Sequence, residues 1–85
     1  MDNDTIIKNT FAEVFEISVN SIEMKMKQNE LKGWDSLGQL RLIMTLEEKF
    51  DISFDIDEIA TLNTFEKVLN KTSQKITDKK GLLSQ

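Results

Sequence analysis

The chain has 85 residues, of which 39% are hydrophobic and 31% charged, a composition that predicts one folded domain with a small core. It contains neither cysteine nor histidine, which excludes disulfides, thiolate metal sites and catalysis by a Ser–His pair. The formal net charge is −4, so a basic protein surface is a more favourable partner than a phosphate backbone. We therefore expect no binding of nucleic acid.

The N-terminal residues and the hydropathy pattern indicate where in the cell the protein is expected to be. Residues 1–4 are acidic, whereas a signal peptide opens with basic residues followed by an apolar run. No apolar run approaches the length needed to span a bilayer. We expect a cytoplasmic protein without a membrane span.

A first helix is predicted over about residues 4–16, because apolar residues recur there at helical spacing. Acidic residues just before it can cap its N-terminus. Residues 17–32 alternate between apolar and other side chains, which would suit a strand, but no second strand offers a partner. We interpret this stretch as a long loop, pinned by some of its apolar residues and containing about one helical turn.

The second helix is predicted from Ser36 to Phe50, with Ser36 as N-cap and Gln39 completing a capping box. Its broad apolar arc indicates a central position in the bundle. The arc comprises Leu37, Leu40, Leu42, Ile43, Met44, Leu46 and Phe50. Gly38 and Arg41 belong to the polar stripe. We expect Met44 to fill the core and Trp34 to be partly buried at one end of the bundle.

The remaining residues predict a short helix and a fourth helix. Asp55 and Glu58 can form a capping box on a helix from Ile56 to about Thr61. The fourth helix begins near Asn63 or Thr64. Its apolar stripe is Phe65, Val68, Leu69, Thr72 and Ile76. The predicted fold is an all-α bundle of three main helices and one short helix over residues 1–76, followed by a flexible tail over residues 77–85.

The segment Gly33-Trp34-Asp35-Ser36-Leu37-Gly38-Gln39-Leu40 resembles the attachment motif of acyl and peptidyl carrier proteins, in which an Asp-Ser-Leu triplet opens the second helix. The resemblance extends through the rest of the second helix and across the third helix to the start of the fourth. The residues that carry this extension are Ile43, Met44, Leu46, Glu47, Glu48, Phe50, Ile52, Phe54, Thr64 and Phe65.

The resemblance implies a carrier rather than an enzyme. Ser36 would receive 4'-phosphopantetheine from coenzyme A through a phosphopantetheinyl transferase, and Asp35 would help that transferase position its metal ion. Acyl groups would travel on the arm as thioesters between acyl-loading and acyl-transferring enzymes. A helix N-terminus is a favourable setting for the attached phosphate, although the neighbouring Asp35 carboxylate repels it.

Docking of the partner enzymes is predicted on the second helix. The predicted docking residues are Leu37, Gly38, Arg41, Met44, Glu47 and Glu48. Carriers of housekeeping fatty acid synthesis usually have acidic residues where this chain has Gly38 and Arg41. The helix is therefore nearly neutral, which weakens steering toward a strongly basic partner and indicates a dedicated set of partners. We also expect Gly38 to leave room beside the arm.

Other functions stay open from the sequence. The cargo could be aminoacyl or peptidyl instead of acyl, because loading enzymes choose it. A helical interaction module without a prosthetic group is a second alternative. A hydrolase using Ser36 is the weakest one, since the chain offers no histidine as base. We expect a monomer, because one bundle can bury the apolar faces.

Overall fold

The computed structural model describes residues 2–83, with the side chains of residues 2–79. These residues form helices α1 (Asn3–Phe15), α2 (Ser36–Phe50), α3 (Ile56–Thr61) and α4 (Phe65–Leu83). The prediction of three main helices and one short helix is confirmed. Within this part of the chain, no helix combines the length and the hydropathy required to cross a membrane.

Local capping accounts for where the helices begin. Asp2 caps α1 by accepting a hydrogen bond from the Thr5 N–H at 2.7 Å. At α3 the predicted capping box is present, and the Asp55 N–H donates to Glu58 Oε1 at 2.9 Å. Each of these helix starts therefore follows from residues adjacent in sequence.

Helix α4 buries its predicted apolar stripe. Phe65, Val68, Leu69, Thr72 and Ile76 are all buried. The helix continues to Leu83, so residues 77–83 of the predicted tail are helical, and residues 84–85 lie outside the described residues. Flexibility of the tail stays a prediction.

Aromatic side chains form the centre of the core. Phe11 lies 4.8 Å from Phe15, 5.0 Å from Trp34 and 5.0 Å from Phe65, measured between ring centroids. Trp34 is only 1% exposed. The expectation of a partly buried tryptophan was wrong, because rings from α1 cover the indole completely.

The first loop, residues 16–35, is held by backbone pairing with the start of α4. It contains two short 3-10 turns, Val19–Ser21 and Gln28–Glu30, instead of the one turn expected. The Gln28 N–H donates to the Asn63 carbonyl at 2.9 Å, and the Phe65 N–H donates to the Met26 carbonyl at 2.9 Å. This pairing keeps the loop that leads to Ser36 in a defined position.

Candidate functional site at the start of helix α2

Ser36 is the first residue of α2 and is exposed. Asp35, not Ser36, is the N-cap: its Oδ1 accepts a hydrogen bond from the Gly38 N–H at 2.9 Å. The predicted assignment of Ser36 as N-cap was therefore wrong by one residue. Since the cap uses the Asp35 carboxylate, the Ser36 hydroxyl is left free at the helix start.

Gln39 is buried and takes no part in a capping box, which corrects the second half of that assignment. Its Oε1 accepts a hydrogen bond from Trp34 Nε1 at 2.6 Å. Its Nε2 donates to the carbonyls of Ile59 at 3.1 Å and Leu62 at 3.0 Å. One amide side chain thus joins the end of the first loop to α2 and α3.

Gly38 lies under the first loop and is buried. A Cβ placed on Gly38 would lie 1.9 Å from the Gly33 carbonyl oxygen and 3.0 Å from the ring of Phe15. Gly33 adopts φ = 90°, which favours glycine at this bend as well. The space beside Gly38 is therefore filled by the chain itself, and the expectation that it makes room for an arm was wrong.

Four of the predicted docking residues lie on one exposed face of α2. They are Leu37, Arg41, Met44 and Glu48, spaced so that they follow one another along the helix. Leu37 is 74% exposed and Met44 64% exposed. The expectation that Met44 fills the core was wrong, because the opposite face of α2 carries the buried Leu42, Ile43 and Leu46.

The other two predicted docking residues, Gly38 and Glu47, make contacts within the bundle. Gly38 is buried and presents no surface to a partner, which corrects its assignment. Glu47 is half-buried, and its Oε2 accepts a hydrogen bond from the Phe54 N–H at 2.9 Å. Its carboxylate therefore holds the connection between α2 and α3 in place.

Ser36 lies between two depressions of different character. The loop-side cleft, of about 580 Å³, is lined by Gln28, Asn29, Leu31, Trp34, Ser36 and Asn63 among others. The α2–α3 groove, of about 380 Å³, is lined by Gln28, Ser36, Leu40, Ile56, Ile59 and Ala60 among others. The cleft combines three amide side chains with the Asp35 carboxylate and the apolar Leu31 and Trp34, whereas apolar side chains predominate in the groove.

Sequence reasoning missed two exposed apolar residues of the groove. Leu40 is 48% exposed and Ile56 is 84% exposed. Leu40 was assigned to the core from its place on the helical wheel. The signal for Ile56 was available, because an apolar residue directly after the Asp55 cap begins a helix too short to bury every side.

An anion on Ser36 would meet favourable groups. Within residues 2–83, the N–H groups of Ser36 and Leu37 have no hydrogen-bond partner, and they lie at the positive end of the α2 dipole. The same residues contain no group of three or more acidic side chains placed to hold a metal ion. The two N–H groups at the start of α2 therefore favour an anionic group on Ser36.

Comparison with known proteins points to one family. The family model described as "Phosphopantetheine attachment site" matches residues 5–71. The acyl carrier protein of Campylobacter jejuni subsp. doylei is 36% identical over 64 residues, which cover 75% of this chain and 83% of that protein. The acyl carrier protein of Cyanophora paradoxa is 32% identical over 76 residues, covering 89% of this chain and 74% of that protein.

A solved structure shares the fold. The solution NMR structure of the holo acyl carrier protein from Geobacter metallireducens superposes with a TM-score of 0.80 at 24% sequence identity. The match covers 93% of this chain and 91% of that one.

Proposed function

The chain belongs to the acyl carrier protein family, whose domain attaches phosphopantetheine, and from this premise we propose that Ser36 bears that group and carries acyl chains on it as thioesters. Proteins of this family are carriers rather than enzymes. The carrier passes its cargo between loading and transferring enzymes of a fatty acid, polyketide or specialised lipid or saccharide pathway, with the cytoplasm as the expected location.

The exposure of the Ser36 hydroxyl at the first residue of a capped helix carries this proposal. An acceptor on a rigid element presents one geometry to each partner, which a serine in a mobile loop does not. The free N–H groups of Ser36 and Leu37 fit the phosphate, and the two neighbouring depressions fit an extended arm and its cargo. The residues present therefore suit the prosthetic group.

In the loading step the chain supplies the acceptor oxygen. Ser36 Oγ forms a bond to the pantetheine-linked phosphorus of coenzyme A as the pyrophosphate bond breaks. Adenosine bisphosphate leaves, and the hydroxyl proton passes to a base of the transferase. The attached group supplies a thiol, which a chain without cysteine lacks.

Asp35 is proposed to orient the transferase's metal ion through the carboxylate oxygen that the cap does not use. Asp35→Asn retains a capping oxygen but removes the charge, so the fold should be preserved. Loading should slow by about tenfold or more if the charge helps to hold the metal. Rates of phosphopantetheine transfer, compared with those of wild type, test this. Equal rates at unchanged stability would contradict the role.

Leu37, Arg41, Met44 and Glu48 are proposed as the docking face for partner enzymes. Arg41 lies between exposed apolar residues, at a position where a housekeeping carrier has an acidic residue. Its positive charge therefore repels partners that are strongly basic at this point. Elongation by housekeeping fatty acid synthesis enzymes should therefore be slow, and Arg41→Glu should raise its rate, whereas Lys25→Glu in the first loop should not. Full-rate elongation on the wild-type carrier would contradict a dedicated partner set.

Intact mass tests the attachment itself. The protein is incubated with coenzyme A, magnesium and a broad-specificity phosphopantetheinyl transferase, with Ser36→Ala as the control. We expect a gain of one phosphopantetheine on wild type and none on the variant. No gain on either protein would favour an interaction module without a prosthetic group. A gain on both would move the attachment to another residue.

A further inference from the structure

We propose that the loop-side cleft binds the pantetheine part of the arm through the side-chain amides of Gln28, Asn29 and Asn63. This inference rests on the proposed attachment at Ser36. The proposed site lies outside α2, and it is a site for the arm itself rather than for the acyl cargo. The arm contains amides, a hydroxyl and a pair of geminal methyl groups, so a suitable site needs both hydrogen-bonding groups and an apolar wall.

The cleft offers hydrogen-bonding groups with capacity to spare. Within the described part of the chain, the side-chain amides of Gln28 and Asn29 make no hydrogen bond to another residue, so each offers both a donor and an acceptor. Asn63 Oδ1 accepts a hydrogen bond from Lys67 Nζ at 3.1 Å, which leaves the Asn63 NH₂ available. Gln28 and Asn29 can therefore donate to or accept from amides of the arm, and Asn63 can donate to them.

The cleft also offers the apolar wall. Leu31 is half-buried and Trp34 is buried, and both line the cleft beside Ser36. Leu31 is the side chain placed to cover the geminal methyl groups, which follow directly after the phosphate in the arm, because Trp34 is only 1% exposed.

The α2–α3 groove is the competing location, and its chemistry disfavours the pantetheine amides. Its buried amide, Gln39, is fully used: its oxygen accepts from Trp34 and its nitrogen donates to Ile59 and Leu62. The exposed apolar walls of Leu40 and Ile56 offer no hydrogen bond. Amides of the arm placed there would lose hydrogen bonds to water without replacement. Gln28 lines both depressions, so the amides that distinguish the cleft from the groove are Asn29 and Asn63.

Backbone pairing builds one wall of the cleft. The Gln28 N–H donates to the Asn63 carbonyl at 2.9 Å, which brings residues from the first loop and the α3–α4 connection together. Lys27 and Thr64 form an antiparallel bridge next to this contact. A preformed wall reduces the entropy lost when an extended, flexible arm is bound.

The experiment uses two NMR readouts on protein whose loading has been established by intact mass. In the first, isotope-labelled protein is compared before and after attachment of the unacylated arm. The side-chain NH₂ signals of Asn29 and Asn63, which line the cleft and not the groove, should shift. Those of Asn20 and Asn70, which lie outside the cleft, should not. Shifts confined to the methyl groups of Leu40, Ile59 and Ala60 would place the arm in the groove and overturn the proposal.

In the second readout, the arm is introduced from ¹⁵N-labelled coenzyme A, so that the amides of the arm give the signals. Their order parameters should exceed about 0.6 in wild type and fall below that value in the double variant Asn29→Ala/Asn63→Ala. The matched control Asn20→Ala/Asn70→Ala should behave as wild type. Order parameters that are equally low in all three proteins would show an arm free in solvent and overturn the proposal. Failure of loading would instead contradict the attachment at Ser36.

Discussion

At the scale of single residues, the start of α2 assigns separate tasks to three neighbouring positions. Asp35 caps the helix, Ser36 presents a free hydroxyl, and Gly38 allows the Gly33 carbonyl to approach the helix closely. The cap and the close approach together determine where the hydroxyl stands. Substitution at Gly38 therefore tests how tightly the loop is held against α2.

Gly38→Ala should destabilise the protein, although alanine ordinarily favours a helix over glycine by about 1 kcal/mol. The new Cβ would lie 1.9 Å from the Gly33 oxygen, which is backbone and cannot rotate away. We expect a net loss of about 1–3 kcal/mol in the free energy of unfolding, measured by urea denaturation. Asn70→Ala, on the exposed side of α4, serves as the control and should be neutral or stabilising. A Gly38→Ala protein more stable than wild type would contradict the close packing.

At the scale of the elements, Gln39 connects the first loop, α2 and α3. Its hydrogen bonds reach Trp34 at the end of the first loop and two carbonyls at the C-terminal end of α3, and Leu62 is 23 residues away in sequence. A six-residue helix is too short to be stable alone, so α3 depends on such contacts. The position of α3 also sets the width of the groove beside Ser36.

Gln39→Leu preserves most of the side-chain volume but leaves the Trp34 N–H and the two carbonyls without their partner. The expected loss is about 2 kcal/mol, or roughly 10 °C in Tm for a domain of this size. Gln74→Leu, at an exposed position on α4, is the matched control. Hydrogen exchange should increase most in α3 if Gln39 holds this helix. Unchanged exchange in α3 would show that apolar packing alone is sufficient.

At the scale of the whole molecule, ion pairs connect α4 to α3 and to the residue that follows α2. Lys75 Nζ lies 2.8 Å from Glu58 Oε1, and Lys71 Nζ lies 3.6 Å from Glu58 Oε2, so both lysines reach α3. Lys79 pairs with Asp51 just after α2. The hydrogen bond from the Asp55 N–H, followed by the hydrogen bond from Lys75, lowers the pKa of Glu58 to about 2.

This pKa predicts how stability depends on pH. Because the pKa of Glu58 is lower in the folded chain than its usual value of 4.5, the charged form stabilises the fold above that value. The contribution should be lost as the pH falls from about 4.5 toward 2. Tm measured across this range should fall less steeply for Glu58→Gln than for wild type. Glu66→Gln, which removes an exposed carboxylate of α4, should follow the wild-type curve. Parallel curves for Glu58→Gln and wild type would contradict the prediction.

Local patterns were sufficient to predict most of the fold. The bounds of α2 and α3, the capping box at Asp55 and Glu58, and the buried stripe of α4 all follow from residues within one or two turns of each other. The prediction of a loop before α2 is also confirmed. Local patterns misled for Met44 and Gln39. A helical wheel indicates whether a face of a helix is apolar or polar, but not whether a distant segment of the chain covers that face.

The sequence by itself determined the helices, the acidic character of the chain and the placement of the Asp-Ser-Leu triplet at a helix start. These depend on composition and on contacts between near neighbours, which are visible in the order of residues. Only the tertiary structure decided that Gly38 is covered by Gly33, that Gln39 bridges to α3, and that Leu37 and Met44 stay exposed. Those outcomes depend on which distant segment packs against each face of α2, and that packing is a property of the whole folded chain.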